Sequence, residues 1–271
     1  MTIIQSIVLG IIQGLTEFLP ISSSGHLILV PSLLGWQLQD LSFDVALHMG
    51  TALAVLVYFK KDWLNMAQSS LKDGLDFVSI KKFDTKKLRR ETKMLFTILI
   101  VSIPVGIVGL LFQSDVEALF RSPISVAIML ILVSFVMFFA DKISEQSRTE
   151  ITFFDALIIS LSQILALIPG TSRSGITIST GLFRNIRRHQ AARFSFLLAT
   201  PLILGSGIAK LSELLTLDAA SLNTILIGFL TSFITGLITV KLLLKFLQKK
   251  GLGVFIIYRI ILGIIILLLY V

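Results

Sequence analysis

Gln13-Gly14-Leu15-Thr16-Glu17-Phe18-Leu19-Pro20-Ile21-Ser22-Ser23-Ser24-Gly25-His26-Leu27-Ile28-Leu29 reads as an apolar helix that breaks halfway. Apolar runs flank it on both sides, which puts it at membrane depth. Yet it holds an acid, a helix-breaking proline, three serines in a row, a glycine and a histidine. Irregular polar backbone is tolerated in a bilayer only when it is buried in protein or lines a wet cavity. An ionisable residue at such a place marks a functional site by default. A second stretch, Gln163 to Thr180, repeats the layout.

The rest of the chain fits that setting. It is 55% hydrophobic and only 15% charged, with a mean hydropathy of +0.92. Soluble domains carry about 25% charged residues. The composition is that of an all-α polytopic membrane protein. With no cysteine, disulfides and thiolate–metal chemistry are excluded. The net charge of +8 does not call for nucleic acid, because basic residues collect in the cytoplasmic loops of membrane proteins. The apolar N-terminus has no basic flank, so no cleavable signal is expected; the first Lys or Arg is Lys60.

Residues 2–18 predict one helix, broken by Pro20 and Ser22 to Gly25. The apolar piece 26–34 is too short to cross, since a crossing takes roughly 20 residues. Residues 2–36 therefore predict a re-entrant hairpin with Trp36 at the interface. A spanning helix is expected at 43–59. Residues 60–93 are polar and rich in Lys and Arg, which predicts a cytoplasmic loop, with anionic-lipid binding as its other reading. Spanning helices are expected at 94–112 and 123–140, a second hairpin at 153–168 and 176–183 broken between Pro169 and Gly175, and spanning helices at 190–209, 223–245 and 253–271. All Lys and Arg fall on the cytoplasmic side of this topology except Arg121 and Lys210 in outer loops and Arg173 and Arg259 at membrane depth.

With Gln13 aligned on Gln163, Ser22 falls on Ser172, Ser24 on Ser174 and Gly25 on Gly175, while Pro20 and Pro169 slip by one place. Phe43 falls near Phe194, and Ser102-x3-Gly106 matches Ser232-x3-Gly236. The expected fold is one membrane domain, 1–271, made of two inverted-topology repeats, 1–140 and 153–271. Each is a re-entrant helical hairpin plus three spanning helices, and three crossings invert the second repeat. Such repeats place a binding site where the broken helices meet near the midplane. Helices starting after Gly25 and Gly175 would offer free N–H groups and partial positive charge to an anion. The plainer reading, that Ser and Gly only let helices pack closely, explains one such run better than two matched ones.

Ser172, Arg173, Ser174 and Thr177 suit a phosphate: a planar fork of donors beside hydroxyls. Arg173 alternatively snorkels or pairs with Glu17. Gln13 and Glu17 share a helix face, and Glu17 is a candidate general base or ligand of a phosphate-bound divalent cation. His26 lies one turn after Ser23, a spacing for a nucleophile and its proton carrier. His48, without company in a spanning helix, reads as structural, and Arg259 reads equally as a structural pair or a substrate contact. Gly170-x4-Gly175 is no P-loop, because Ile176 and Thr177 follow it. Gly170 to Ser174 is no Gly-x-Ser-x-Gly elbow. Ser24-Gly25-His26 is shared with phosphatidic-acid-type lipid phosphatases, but their second His falls here on Ser179.

Gln13-x3-Glu17-Phe18-Leu19-Pro20-x-Ser22-Ser23-x-Gly25-His26 and Pro169-Gly170-x-Ser172-Arg173-Ser174-Gly175-x-Thr177 together resemble the signatures of the bacterial undecaprenyl-pyrophosphate phosphatases, the bacitracin-resistance family. Length and segment order resemble that family from end to end. Family members commonly have Glu where this chain has Gln13, which shifts the load to Glu17. The resemblance implies hydrolysis of undecaprenyl pyrophosphate to the monophosphate carrier of peptidoglycan and envelope polymers. It also implies a divalent cation, Mg2+ or Ca2+, and a multi-pass protein of the bacterial plasma membrane whose site faces outward. Carried over by motif, the catalytic residues are Glu17, Ser23, His26 and Arg173, with Glu17 the candidate metal ligand. The substrate-binding residues are Gln13, Ser22, Ser24, Ser172, Ser174 and Thr177. Ser23 is the favoured nucleophile with His26 moving its proton; attack by His26 itself, or by a water that one of the two directs, is the other reading. A transporter or flippase for a phosphorylated polyprenyl lipid is the rival, since inverted repeats are transporter architecture.

Overall fold

The computed structural model describes residues 1–80, 87–209 and 219–270. Lys81, Lys82 and Lys86 of the basic segment 60–93, and Lys210 of the expected outer loop, lie outside them. The first hairpin is α1 (Ile3–Thr16) and α2 (Ser23–Leu33). There follow α3 (Leu41–Tyr58), α4 (Lys60–Ile80), α5 (Arg90–Phe120) and α6 (Pro123–Ile143). The second hairpin is α7 (Phe153–Ser162), extended by a tighter turn at Gln163–Leu167, and α8 (Arg173–Phe183). The chain ends with α9 (Arg188–Ala209), α10 (Ala219–Leu247) and α11 (Gly253–Tyr270).

Six of these helices are long and apolar enough to cross a membrane: α3, α5, α6, α9, α10 and α11. The hairpin helices are shorter, and α2 and α8, at 11 residues each, cannot span. Many large apolar side chains, such as Leu110, Leu132, Leu242 and Leu268, lie on the outer surface. Lipid gives them no penalty, which is why the bundle exposes what a soluble protein would bury.

One expectation fails outright. Residues 60–80 form a helix and not a loop. Met66 is buried in the main core and Trp63 packs against it, while Leu71 and Leu75 stay exposed. Sparse apolar positions among charges read as loop because each alone is weak; on a helix they gather into a docking face. Arg89 then ties the start of α5 back to Asp73 and Asp76 near the end of α4.

The packing between the two hairpins and the spanning helices is crossed. Helix α1 packs along α10, and α7 packs against α5. Contact between α1 and α10 is close because the facing residues are small: a Cβ on Gly14 would sit 2.6 Å from Thr235 Cβ and 2.8 Å from the Ser232 carbonyl. Helices α3 and α9 pack on each other, as do α6 and α11.

The two hairpins start alike. Thr2 caps α1 in a capping box with Gln5, and Thr152 caps α7 in a capping box with Asp155. Burial pushes the Asp155 carboxyl up, but hydrogen bonds from Arg148, Arg184 and Thr152 outweigh it and hold the group well below the usual carboxylate range. Arg148 lies 2.6 Å and Arg184 2.8 Å from its oxygens.

Candidate active site

Both breaks use the same backbone device. Ser22 caps α2 at φ 76, and Ser172 caps α8 at φ 71, a region that non-glycine residues rarely enter. In each case the serine Oγ accepts the N–H three residues on, Gly25 at 3.3 Å and Gly175 at 3.1 Å. The short helices therefore begin at Ser23 and Arg173, three residues before the starts read from the sequence. Gly170 turns the second break at φ +94, where a Cβ would also strike the Val126 carbonyl at 2.6 Å.

That device gives Ser23 and Arg173 the same position, the first residue of a short helix. Both reach one carboxylate. Ser23 Oγ donates to Glu17 Oε2 at 2.7 Å, and Arg173 donates to Glu17 Oε1 at 2.7 Å. Gln13 Nε2 donates to Oε2 at 3.0 Å from one turn back on α1. Glu17 is only 6% exposed, while Ser23, Ser24 and Arg173 keep an open side. The second terminal nitrogen of Arg173 and Gln13 Oε1 have no protein partner. Buried polar atoms of that kind call for a ligand or water.

The other sequence candidates are placed differently. Ser22 and Ser172 spend their hydroxyls on the caps. Ser174 Oγ donates to the Leu19 carbonyl at 3.2 Å, which ties the two breaks together. Thr177 is fully buried, donates to the Arg173 carbonyl at 2.7 Å and meets Ser195 Oγ at 2.7 Å. These four hold the breaks in shape and do not offer free hydroxyls. Ser24 is partly exposed and stays in the site.

His26 is not paired with Ser23. Its Nδ1 donates to the Ser22 carbonyl at 2.7 Å, so its Nε2 accepts the Tyr258 hydroxyl at 2.7 Å. Tyr258 also stacks on the ring. The group positioned to take the Ser23 proton is therefore Glu17. Tyr258 was missed because it lies on the last helix; its one sequence signal is a hydroxyl beside Arg259 in an apolar run. His48 was set aside as solitary, yet its Nε2 lies 3.5 Å from Glu17 Oε2. The signal overlooked is Asp44-x3-His48, two polar residues one turn apart on an apolar helix.

Arg259 resolves as structural, with carbonyls and not an acid as partners. It is 0% exposed and donates to Pro20 in one break, to Gly170 and Thr171 in the other, and to Met129, Leu130 and Ser134 of α6. One guanidinium thus clasps both breaks to α6.

Hard divalent cations take about six to eight oxygen ligands. Here both Glu17 oxygens are taken by donors, a guanidinium lies 2.7 Å away, and the neighbour one turn back, Gln13, is an uncharged amide. Among the described residues no cluster of three metal-ligating side chains occurs. The side chains present do not by themselves make up the coordination shell of a resident cation; Glu17 is the one carboxylate at the breaks.

A buried carboxylate joined to a serine hydroxyl and an arginine across two broken membrane helices can be compared with known proteins. Residues 6–265 match the model of the family described as bacitracin resistance protein BacA. The chain belongs to that family. Proteins called undecaprenyl-diphosphatase are similar to it along almost their whole length. The one from Thermodesulfovibrio yellowstonii is 42% identical over 269 residues, 98% of this chain and 96% of that protein. Those from Pelobacter propionicus and Elusimicrobium minutum are 43% and 41% identical, covering 97% and 99% of this chain and 95% and 98% of theirs. The undecaprenyl-pyrophosphate phosphatase resemblance read from the two motifs therefore holds for the chain as a whole.

Proposed function

We propose that this protein is an undecaprenyl-diphosphate phosphatase, a membrane hydrolase that converts undecaprenyl pyrophosphate and water to undecaprenyl phosphate and inorganic phosphate. The observation that carries the reading is the convergence of Ser23 and Arg173, each the first residue of its short helix, on Glu17. Glu17 takes the Ser23 proton, and Ser23 attacks the terminal phosphorus in line. Arg173, with a free nitrogen, and the N-termini of α2 and α8 hold the pyrophosphate oxygens. Ser24 lines the entry. Phosphoryl transfer asks mainly for such positioning and charge neutralisation. His26, locked by Ser22 and Tyr258, keeps the start of α2 in shape and is not the proton carrier of Ser23. A Mg2+ or Ca2+ ion belongs to the substrate, arriving on the pyrophosphate.

A pure carrier has no need of a serine aimed at a buried base, which weighs against the transporter reading. The inverted repeat is supported by the shared caps, the shared break geometry and the crossed packing of α1 with α10 and α7 with α5. The excess of Lys and Arg in the segments 60–93, 184–193 and 241–250, which the positive-inside rule assigns to the cytoplasm, supports a site open to the outer face of the plasma membrane.

The test is direct. Purified protein in detergent, given undecaprenyl pyrophosphate and Mg2+, releases phosphate, and a rapid quench with label in the terminal phosphate traps phosphoserine at Ser23. Arg173→Ala lowers the release by about 100- to 1,000-fold, the size of losing one preorganised charge donor. Lipid movement across vesicles without phosphate release would sink the enzyme reading.

A further inference from the structure

We propose that His48 is a positioning residue of this site, one that takes the place of Ser23 on Glu17 while Ser23 carries the phosphoryl group. The proposal rests on the function proposed above.

Helix α3 delivers His48 from outside both hairpins. Its ring is fixed by its own helix: Nδ1 donates to the Asp44 carbonyl at 2.7 Å, which aims Nε2 at Glu17. Since Nδ1 already carries a proton, Nε2 can donate only when the ring is the imidazolium, and the contact is then an ion pair. Its 3.5 Å length exceeds a good hydrogen bond, about 2.7–3.2 Å. The reason is on the same oxygen: Ser23 at 2.7 Å and Gln13 at 3.0 Å already hold Oε2. Arg173 holds Oε1. His48 is thus a third donor waiting behind two closer ones. Its side chain is 28% exposed against 5% for Glu17, so it is the less buried of the two.

The reaction empties the nearest of those places. In the first step the Ser23 Oγ–P bond forms and the bridging P–O bond breaks, its electron pair leaving on undecaprenyl phosphate. The Ser23 proton passes to Glu17 Oε2 and on to the departing phosphate. Ser23 then has no hydrogen to donate, and a buried carboxylate oxygen that loses a donor is costly. A shift of about 0.5 Å brings His48 within hydrogen-bond reach of Oε2. The carboxylate stays aimed at the phosphoserine. In the second step a water oxygen bonds to phosphorus and the Oγ–P bond breaks toward Ser23. The water proton passes through Glu17 to Ser23 Oγ, and phosphate leaves.

This role separates the two steps. In His48→Leu, rapid-quench labelling should show phosphoserine forming at the wild-type rate, with KM within about 2-fold. Its breakdown, and with it turnover, should fall about 10- to 100-fold, the size of one hydrogen bond to a charged group. Phosphoenzyme then accumulates. His48→Gln puts an amide N–H at similar reach and restores breakdown. Where the leucine variant does not fold, His48→Asn, whose amide stops short of Oε2, should accumulate phosphoenzyme in its place. Label on Ser23 with breakdown untouched by these substitutions, or formation and breakdown slowed alike, overturns the role of His48 alone. Absence of label on Ser23 in the unsubstituted protein overturns both this role and the reading beneath it.

Discussion

The two breaks share a backbone and divide the chemistry. Each is entered by a helix with a threonine capping box and left by a helix capped by a left-handed serine. Within that common frame the side chains diverge. The first break has Glu17, Ser23 and His26 where the second has Leu167, Arg173 and Ile176. A frame used twice gives two converging helix N-termini. A second carboxylate in place of Leu167 would repel the phosphate, and an arginine in place of Ser23 would leave no nucleophile. The asymmetry, and not the repeat, makes the site an active one. The same division holds at the hairpin entrances: Gln5 is half-buried and neutral, while Asp155 is buried and held by two arginines.

The sharpest way to break this comparison is Glu17→Leu, which makes the first break match the second. It removes the base and leaves Arg173 without its partner, so kcat should fall by about 1,000-fold or more in the phosphate-release assay. Retention of a tenth of the activity would mean that the carboxylate is not the group that divides the two halves.

A smaller effect tests the shared frame. Ser22→Ala and Ser172→Ala each remove one cap, and each should cost about 1 kcal/mol of stability in detergent. The two losses should agree closely if the breaks are equivalent in the backbone. A large effect at one and none at the other would show that only one break depends on its serine.

The smallest effect concerns the hairpin entrances. Because the folded state holds the Asp155 carboxyl below its ordinary value of 3.8, its contribution is present above that value and is lost as pH falls through the lower, folded one. The thermal midpoint should therefore drop more steeply in acid for the parent protein than for Asp155→Asn, which has already lost the contribution. Equal slopes would remove Asp155 from the account of how the second hairpin is anchored.

Much of this was readable in order along the chain. The six spanning helices follow from the length an apolar run needs to cross a bilayer, and the structure ends them within a few residues of the expected positions, except that α5 runs on to Phe120. Glu17, Ser23 and Arg173 stood out because charge and hydroxyl in an apolar setting are costly. Helix α4 was not readable: its apolar residues are sparse, and only the core around Met66 makes them a helix face. For Thr177 and Ser174 the sequence names a hydroxyl without saying what it faces; the structure turns them to the Arg173 and Leu19 carbonyls.

The sequence by itself determined that the chain lies in a membrane, that it is broken twice, and which residue types the breaks contain. Those are consequences of composition and local spacing, which act on every conformation of the chain. Only the tertiary structure decided which polar groups meet. Arg259 is drawn from the last helix to carbonyls of both breaks, because no buried polar group there has water to turn to. Tyr258 is brought to His26, and His48 to within 3.5 Å of Glu17, by the packing of α11 and α3 against the first hairpin. The opening stretch supplies the acid and the serine, but the arginine and the second histidine beside that acid come from other helices.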